Sequence, residues 1–414
     1  MEKAIAVIDM KAFYAFVECV DRKLNPFTTP LVVCDAERGN NTIVLSVSPY
    51  LKERGVPSRC RRKELPQIKG MIFAKPRMQH YVEKSAEIVS IVLDFVGEDD
   101  IHVYSIDELF INLGPYLKMY NATPRELTMK IQRAITKKTG LVTTAGVSYN
   151  MLLAKVALDN DAKKKPPYIS VWTKEDVEKK LWKLSPLSKM WGISSGYERK
   201  LNALGIYDVG QLAKVDKNLL KAKFGVLGEQ LWNHANGIDD SDIREKYIPE
   251  DTSLSLGQVL IKDYTPKQAR LILKEMTDDL AMRLREHKQK TSLVGIYIAF
   301  SSQEGGGFAH HVTLDYPTDD TDVLYKDLLA LFDKYIGNHY VKSIHISFGK
   351  FSNEEGKQLS LFEDSRTSAE RKALQKVTDE LKIRYGKNIV LRGSSLLEES
   401  TAKERHNQIG GHHK

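Results

Sequence analysis

Two adjacent carboxylates, Asp107 and Glu108, break the apolar run Tyr104-Ser105-Ile106-Asp107-Glu108-Leu109-Phe110. A half-buried carboxylate is costly unless it is paired or metal-bound, so such a pair in a strand-like segment points to a use. A second run, Ala4-Ile5-Ala6-Val7-Ile8, reads as a buried strand and stops at Asp9. If the two strands are neighbours, Asp9, Asp107 and Glu108 converge at one end of a sheet. Three oxygen-donor acids without a Cys or His ligand suit Mg²⁺ rather than zinc. Two such ions, about 3.5–4 Å apart, activate an attacking oxygen and stabilise a leaving one in phosphoryl or nucleotidyl transfer. Taken singly, Asp9 also reads as a turn residue or helix cap, and Asp107-Glu108 as solvated surface.

The elements that must position these acids are legible as patterns. Residues 1 to about 175 alternate strand-like and helix-like segments, an α+β or α/β arrangement. Helical periodicity runs over 79–96 and from Pro124 to Lys138, with Thr123 as cap and Pro124 at the first helical position. Leu141 to Val147 reads as a strand, a helix follows through Met151-Leu152-Leu153-Ala154-Lys155, and Lys165-Pro166-Pro167 breaks it. Residues 177–242 read as all-helical. There Trp191-Gly192-Ile193 and Leu204-Gly205-Ile206 fit either a helix-hairpin-helix unit presenting N–H groups to phosphate or two ordinary glycine helix stops. Residues 243–253 read as a linker. The order βαββαβ follows over 254–352, its first helix announced by Thr265, Pro266 and Gln268. Beyond 352 the chain reads as polar and less regular.

Composition sets the outer bounds. The 414 residues are 42% hydrophobic and 28% charged, which describes a globular chain of several domains. Net charge is +8, and Arg59, Arg61, Arg62, Lys63 and Lys163, Lys164, Lys165 form groups that suit a polyanionic partner or simply a solvated face. Cys19, Cys34 and Cys60 form no metal or disulfide pattern. With no signal-peptide pattern and no apolar run of membrane length, the expected location is the cytoplasm, away from any membrane.

Four motifs then stand in order: Ile8-Asp9-Met10-Lys11-Ala12-Phe13-Tyr14-Ala15-Phe16-Val17-Glu18, the Ser105-Ile106-Asp107-Glu108 segment, Ala145-Gly146-Val147-Ser148-Tyr149-Asn150 with Leu153-Ala154-Lys155, and the Trp191-Gly192-Ile193 turn. Together they resemble the Y-family of translesion DNA polymerases, in its UmuC-like bacterial branch. The resemblance covers about residues 4–364. It implies a right-hand polymerase: a ferredoxin-like palm (1–12 and 79–176), small fingers (13–78), a helix-hairpin-helix thumb (177–242), a little finger (254–352) and a C-terminal tail (353–414).

Residue by residue, the resemblance makes Asp9, Asp107 and Glu108 the catalytic acids and, with the Met10 carbonyl, the ligands of two Mg²⁺ ions. Tyr14 matches the aromatic steric gate; Phe13, Tyr14 and Phe16 also read as a packed helix face. Phe13, Ser48, Lys52 and Lys163 are the implied triphosphate contacts, with Lys164 as the alternative to Lys163 because the helix before it is one residue longer than usual. The segment departs from the family in Pro49, where Tyr is usual, in Lys52, where Arg is common, and in Ser194, where a second glycine is frequent. Either Tyr50 or Ser48 is left to compensate for Pro49. Gln358-Leu359-Ser360-Leu361-Phe362 resembles the pentapeptide by which bacterial polymerases hold the sliding clamp.

The implied function is low-fidelity, template-directed DNA synthesis past damage. Its implied partners are primer-template DNA, deoxynucleoside triphosphates, the sliding clamp, and recombinase or other SOS accessory proteins. A non-catalytic polymerase-like scaffold would have lost the metal acids, which this chain keeps. A nucleotidyl cyclase would not need the helical region, basic groups or clamp-like tail.

Overall fold

The computed structural model describes residues 3–245, 249, 252–353 and 365–414. The chain divides between Tyr247 and Ile248 into two compact units, with His412–Lys414 counted to the first.

The first unit is built around β1 (Ile5–Met10), whose residues Ala6, Val7 and Ile8 are all buried. Such a run marks a strand covered on both faces. α1 (Phe13–Asp21) follows, then a small sheet of β2 (Leu31–Val33), β3 (Ser46–Val47) and β4 (Ile72–Ala74), ordered β3-β2-β4 and carrying α2 (Pro49–Glu53). The chain continues through α3 (Met78–Leu93), β5 (Ile101–Val103), β6 (Glu108–Asn112), α4 (Leu117–Tyr120), α5 (Pro124–Thr139), β7 (Thr143–Ser148), α6 (Met151–Ala157) and β8 (Ile169–Val171). The large sheet has the order β5-β6-β1-β7-β8, and β1 is antiparallel to both neighbours.

Local chemistry explains how these elements start and meet. α5 opens on a reciprocal cap: Glu126 N–H donates to Thr123 Oγ1 (3.3 Å), and Thr123 N–H donates to the Glu126 carboxylate (2.8 Å). Val7 and Gly146 pair across β1 and β7 on the face covered by α6. A Cβ at Gly146 would lie 1.9 Å from the Ala154 carbonyl oxygen, so only glycine lets α6 settle on this sheet.

Five helices follow: α7 (Asp176–Lys179), α8 (Ser195–Asn202), α9 (Val209–Lys214), α10 (Lys217–Phe224) and α11 (Val226–Ala235). They share a core that includes Leu187, Met190, Ile193, Leu201 and Leu212. Gly192 turns at φ 92°, and Ser194 then caps α8, accepting from Tyr197 N–H at 3.4 Å. Ser194 has φ −79°, so glycine is not needed there. Trp191 stacks near Phe110 and Tyr104, both at 5.9 Å between ring centroids. The segment expected as a linker begins later than the sequence suggested. Ile243 is buried beside Val7 and Phe110, and Arg244 holds Asp100 with two hydrogen bonds of 2.8 and 3.0 Å.

The second unit has the expected order: β9 (Ser253–Tyr264), α12 (Pro266–Glu286), β10 (Lys290–Phe300), β11 (Gly307–Thr318), α13 (Thr321–Ile336) and β12 (Val341–Ser352). Its antiparallel sheet is ordered β11-β10-β12-β9, and the two helices close a core that includes Leu273, Met276, Leu280, Leu328, Phe332, Ile344 and Phe348.

The tail departs from the sequence reading. α14 (Ser365–Tyr385) and α15 (Ala402–His406) are regular elements. The tail is fastened to α12 by charge: Arg285 to Asp379 at 2.6 Å, Arg392 to Asp278 at 2.6 Å, and Arg405 and His406 to Asp279 at 2.9 and 2.8 Å. Burial alone would raise the Asp279 carboxyl, but His406 and Arg405 outweigh it and hold it at about 2.

Candidate active site

The end of β1 forms one wall of a cleft of about 620 Å³ within the first unit. Asp9 lies opposite Glu108 on β6 and opposite Thr144 on β7. Asp107 stands just before β6, where its carbonyl accepts from Met10 N–H (2.8 Å) and its carboxylate accepts from Ser105 Oγ (2.8 Å). Asp9, Met10 and Asp107 all line the cleft.

Glu108 converges with the other two acids at this end of the sheet, but it is not among the residues lining the cleft. As Asp9's direct cross-strand partner it shares the face covered by α6. There Lys155 Nζ lies 2.8 Å from each of its carboxylate oxygens. Among the described residues, no three His, Cys, Asp or Glu side chains are arranged to hold a metal ion as they stand. Asp9 and Asp107 do present an all-oxygen donor pair, which fits a hard divalent cation. The Asp9 carboxyl is pushed up by burial and by the like charge of Asp107, with Lys163 opposing. A cation between the two acids would favour both as anions. Glu108 is likewise pushed up by burial, against the pull of Lys155.

The lysines come from α6 and the turn that ends it. α6 runs into a π-helical turn, Leu158–Ala162, closed by Lys163 N–H donating to the Leu158 carbonyl at 3.3 Å. A π-helical turn holds one residue more than an α-helical turn over the same stretch. This turn leaves Lys163 Nζ 3.2 Å from Asp9 and 2.8 Å from Asp159. Burial works against the Lys163 ammonium, but Asp9 and Asp159 outweigh it and raise its pKa. Asp159 also reaches Lys155 at 3.1 Å, so it links the two lysines. Lys164 lines the cleft too, but exposed.

Lys52, from α2, also lines the cleft, as does Pro49. Ser48 does not contribute. Its side chain is fully buried, the hydroxyl donating to the Thr29 carbonyl (2.7 Å) and accepting from Leu31 N–H (3.3 Å). That hydroxyl holds the β2 end instead; the serines lining the cleft are Ser46, Ser58 and Ser105. Nor does Tyr50 compensate: it packs into the small-sheet core, with the Arg54 guanidinium 3.6 Å from its ring centroid.

Phe13 and Tyr14 begin α1 after a left-handed turn at Ala12 (φ 50°), and both border the cleft. Phe13 is buried; Tyr14 is half-buried, and its ring lies 4.7 Å from that of Tyr81. Tyr81 is fixed in turn by donating to Glu18 Oε1 at 2.7 Å, an oxygen that also accepts from Arg77 at 2.8 Å.

Sequence reasoning assigned no place in the site to Lys11, Arg59 and Tyr168, which line the cleft, nor to Asp159 beside Lys163 and Tyr81 beside Tyr14. Lys11 and Lys155 stood inside the motifs without a role. The clamp-like segment Gln358, Leu359, Ser360, Leu361 and Phe362 lies outside the described residues.

A sheet whose strand ends carry paired acids, flanked by a small subdomain and a helical stretch and followed by a βαββαβ unit, is right-hand polymerase architecture. The fold matches a solved Y-family DNA polymerase chimera of Dbh and Dpo4, with a TM-score of 0.69 over 85% of this chain and 100% of that one, at 20% identity. The chain belongs to the UmuC-like Y-family of DNA polymerases. Models of the impB/mucB/samB family, of its helix-hairpin-helix motif and of its C-terminal domain match residues 8–159, 174–206 and 252–361. In Bacillus subtilis, a protein named for UV-damage repair, UvrX, is 38% identical over 99% of this chain and 97% of its own length. DNA polymerase IV 2 of the same organism is 31% identical over 100% of this chain and 99% of its own.

Proposed function

We propose that this chain is a low-fidelity, template-directed DNA polymerase of translesion synthesis, adding deoxynucleotides to a primer 3′-hydroxyl. The observation that carries the reading is the juxtaposition of Asp9 and Asp107 at one wall of a cleft whose other walls bear Lys52, Lys163 and Tyr14. In this reading residues 1–12 and 79–176 serve as palm, 13–78 as fingers, 177–242 as thumb and 254–352 as little finger.

Asp9, Asp107, Glu108 and the Met10 carbonyl would hold two Mg²⁺ ions, which supply the charge that activates the 3′-hydroxyl and neutralises the departing pyrophosphate. For Glu108 to join them it must leave Lys155, whose ammonium keeps a partner in Asp159. Lys52 and Lys163 bind the triphosphate and hold it in line for attack on the α-phosphorus. Phe13 packs beneath the nucleotide site, and the Tyr14 ring fills the space a ribose 2′-hydroxyl would need. Duplex DNA is gripped through backbone phosphates, without sequence preference.

Primer extension by the full chain with Mg²⁺, on an undamaged template and on one carrying an abasic site, tests the reading. Extension on both supports it. Template binding without incorporation would overturn it in favour of a non-catalytic scaffold.

The same reading gives Gln358–Phe362 the bacterial sliding clamp as partner, and the cytoplasm as location. Among the described residues no helix is long and apolar enough to cross a membrane. Replacing Leu361 and Phe362 with Ala should leave clamp-free extension unchanged and abolish stimulation by a loaded clamp, because a few apolar anchors dominate small interfaces. Comparison on one circular primed template decides it; full stimulation of the double variant would place the contact elsewhere. Recombinase or other SOS accessory proteins are further partners that belong to this reading.

A further inference from the structure

Cations outnumber what the proposed roles use. Lys163 is committed to Asp9 and Asp159, and Lys155 to Glu108 and Asp159. Lys11 is not committed. It follows Met10 directly, its main-chain N–H anchored on the Val142 carbonyl at 3.0 Å. Its side chain lines the cleft, with Nζ 3.4 Å from the Lys163 carbonyl oxygen and 4.3 Å from the centroid of the Tyr168 ring. Among the described residues no carboxylate pairs with it within 4 Å. Lys11, Lys52 and Lys163 all line the one cleft.

We propose that Lys11 contacts the polyphosphate of the incoming nucleotide, so that Lys11, Lys52 and Lys163 form a cradle of three ammonium groups. The inference rests on the polymerase reading and adds a residue to it. Three like charges held around one space repel each other at a cost in stability, and the arrangement is useful only toward an anion with several charges close together. A nucleoside triphosphate has that form. A DNA strand spreads its charges one per nucleotide along the backbone. The Tyr168 ring and the Lys163 carbonyl hold the Lys11 ammonium in place by cation–π and hydrogen-bond contacts, which reduces the ordering cost when phosphate arrives.

Single-nucleotide incorporation should be measured for wild type, Lys11→Met and Lys11→Arg, with the DNA affinity of each determined separately. Lys11→Met keeps the apolar stem over Tyr168 and deletes the charge. It is expected to raise the KM for a deoxynucleoside triphosphate roughly tenfold, the effect of one charge-assisted contact, with kcat and DNA affinity little changed. Lys11→Arg should recover most of the loss. With a dideoxy-terminated primer, wild type should prefer the triphosphate over the diphosphate as a ligand by a wider margin than Lys11→Met. An unchanged KM in Lys11→Met, beside an active wild type, overturns the inference; so does a loss confined to DNA affinity, which would assign Lys11 to a template phosphate. An inactive wild type would instead overturn the polymerase reading.

Discussion

Replacing Asp107 with Asn should lower nucleotide incorporation by roughly a thousandfold or more while leaving DNA binding intact. Asn keeps the shape of the side chain and removes the charge. The Asp107 main chain, which fixes the end of β1 through Met10 N–H, is untouched. The substitution also has a sign on stability. The Asp107 charge helps hold the buried Asp9 carboxyl above its ordinary value. Without it the Asp9 anion is easier to form, so the folded state should be as stable as wild type or slightly more so. Such an opposition between activity and stability marks a site arranged for function. Single-turnover incorporation, a DNA-binding titration and a melting curve on the same preparation read all three effects. Incorporation within tenfold of wild type would remove Asp107 from the metal site. A fall in Tm of several degrees would mark it as a structural residue.

Ribonucleotide exclusion should collapse in Tyr14→Ala and survive in Tyr14→Phe. The reasoning is steric. The Tyr14 ring borders the cleft and is backed by the Tyr81 ring at 4.7 Å. Tyr81 cannot easily yield, because its hydroxyl is tied to the buried Glu18. Forcing an additional group into a packed space costs about 1–3 kcal/mol, which corresponds to discrimination of up to roughly a hundredfold. Removal of the ring should abolish that factor, raising ribonucleotide incorporation with little change for deoxynucleotides. Removal of the hydroxyl alone should not. The ratio of kcat/KM for the two nucleotide types, measured in all three proteins, is decisive. An unchanged ratio in Tyr14→Ala would return Tyr14 to the packing of α1.

The parts of this structure that the sequence disclosed are those encoded by neighbouring residues. The Thr-Pro openings of α5 and α12 carry their own capping partners, and β1 declares itself by unbroken apolarity up to Asp9. The βαββαβ order is legible for the same reason. Other features depend on partners distant in sequence. The turn of Glu108 toward Lys155 follows from which face α6 covers, a tertiary fact. Ser48 was expected at the triphosphate because it precedes α2, yet its hydroxyl is drawn to Thr29 and Leu31. α14 escaped notice because side chains such as Arg371, Gln375, Thr378, Asp379 and Lys382 border its inward cleft, while Val377 and Leu381 are exposed. A helix seated by charge carries no apolar period pointing inward.

The π-helical turn at Leu158–Ala162 separates residue count from direction. In an unbroken α-helix one inserted residue swings everything downstream by about 100° around the axis. Here the added residue widens a single turn, and the chain leaves it aimed at Asp9. A chain shorter by one residue through this stretch could present the same ammonium from an ordinary helix. What sets the direction of Lys163 is therefore the widened turn, not the number of residues counted from Lys155.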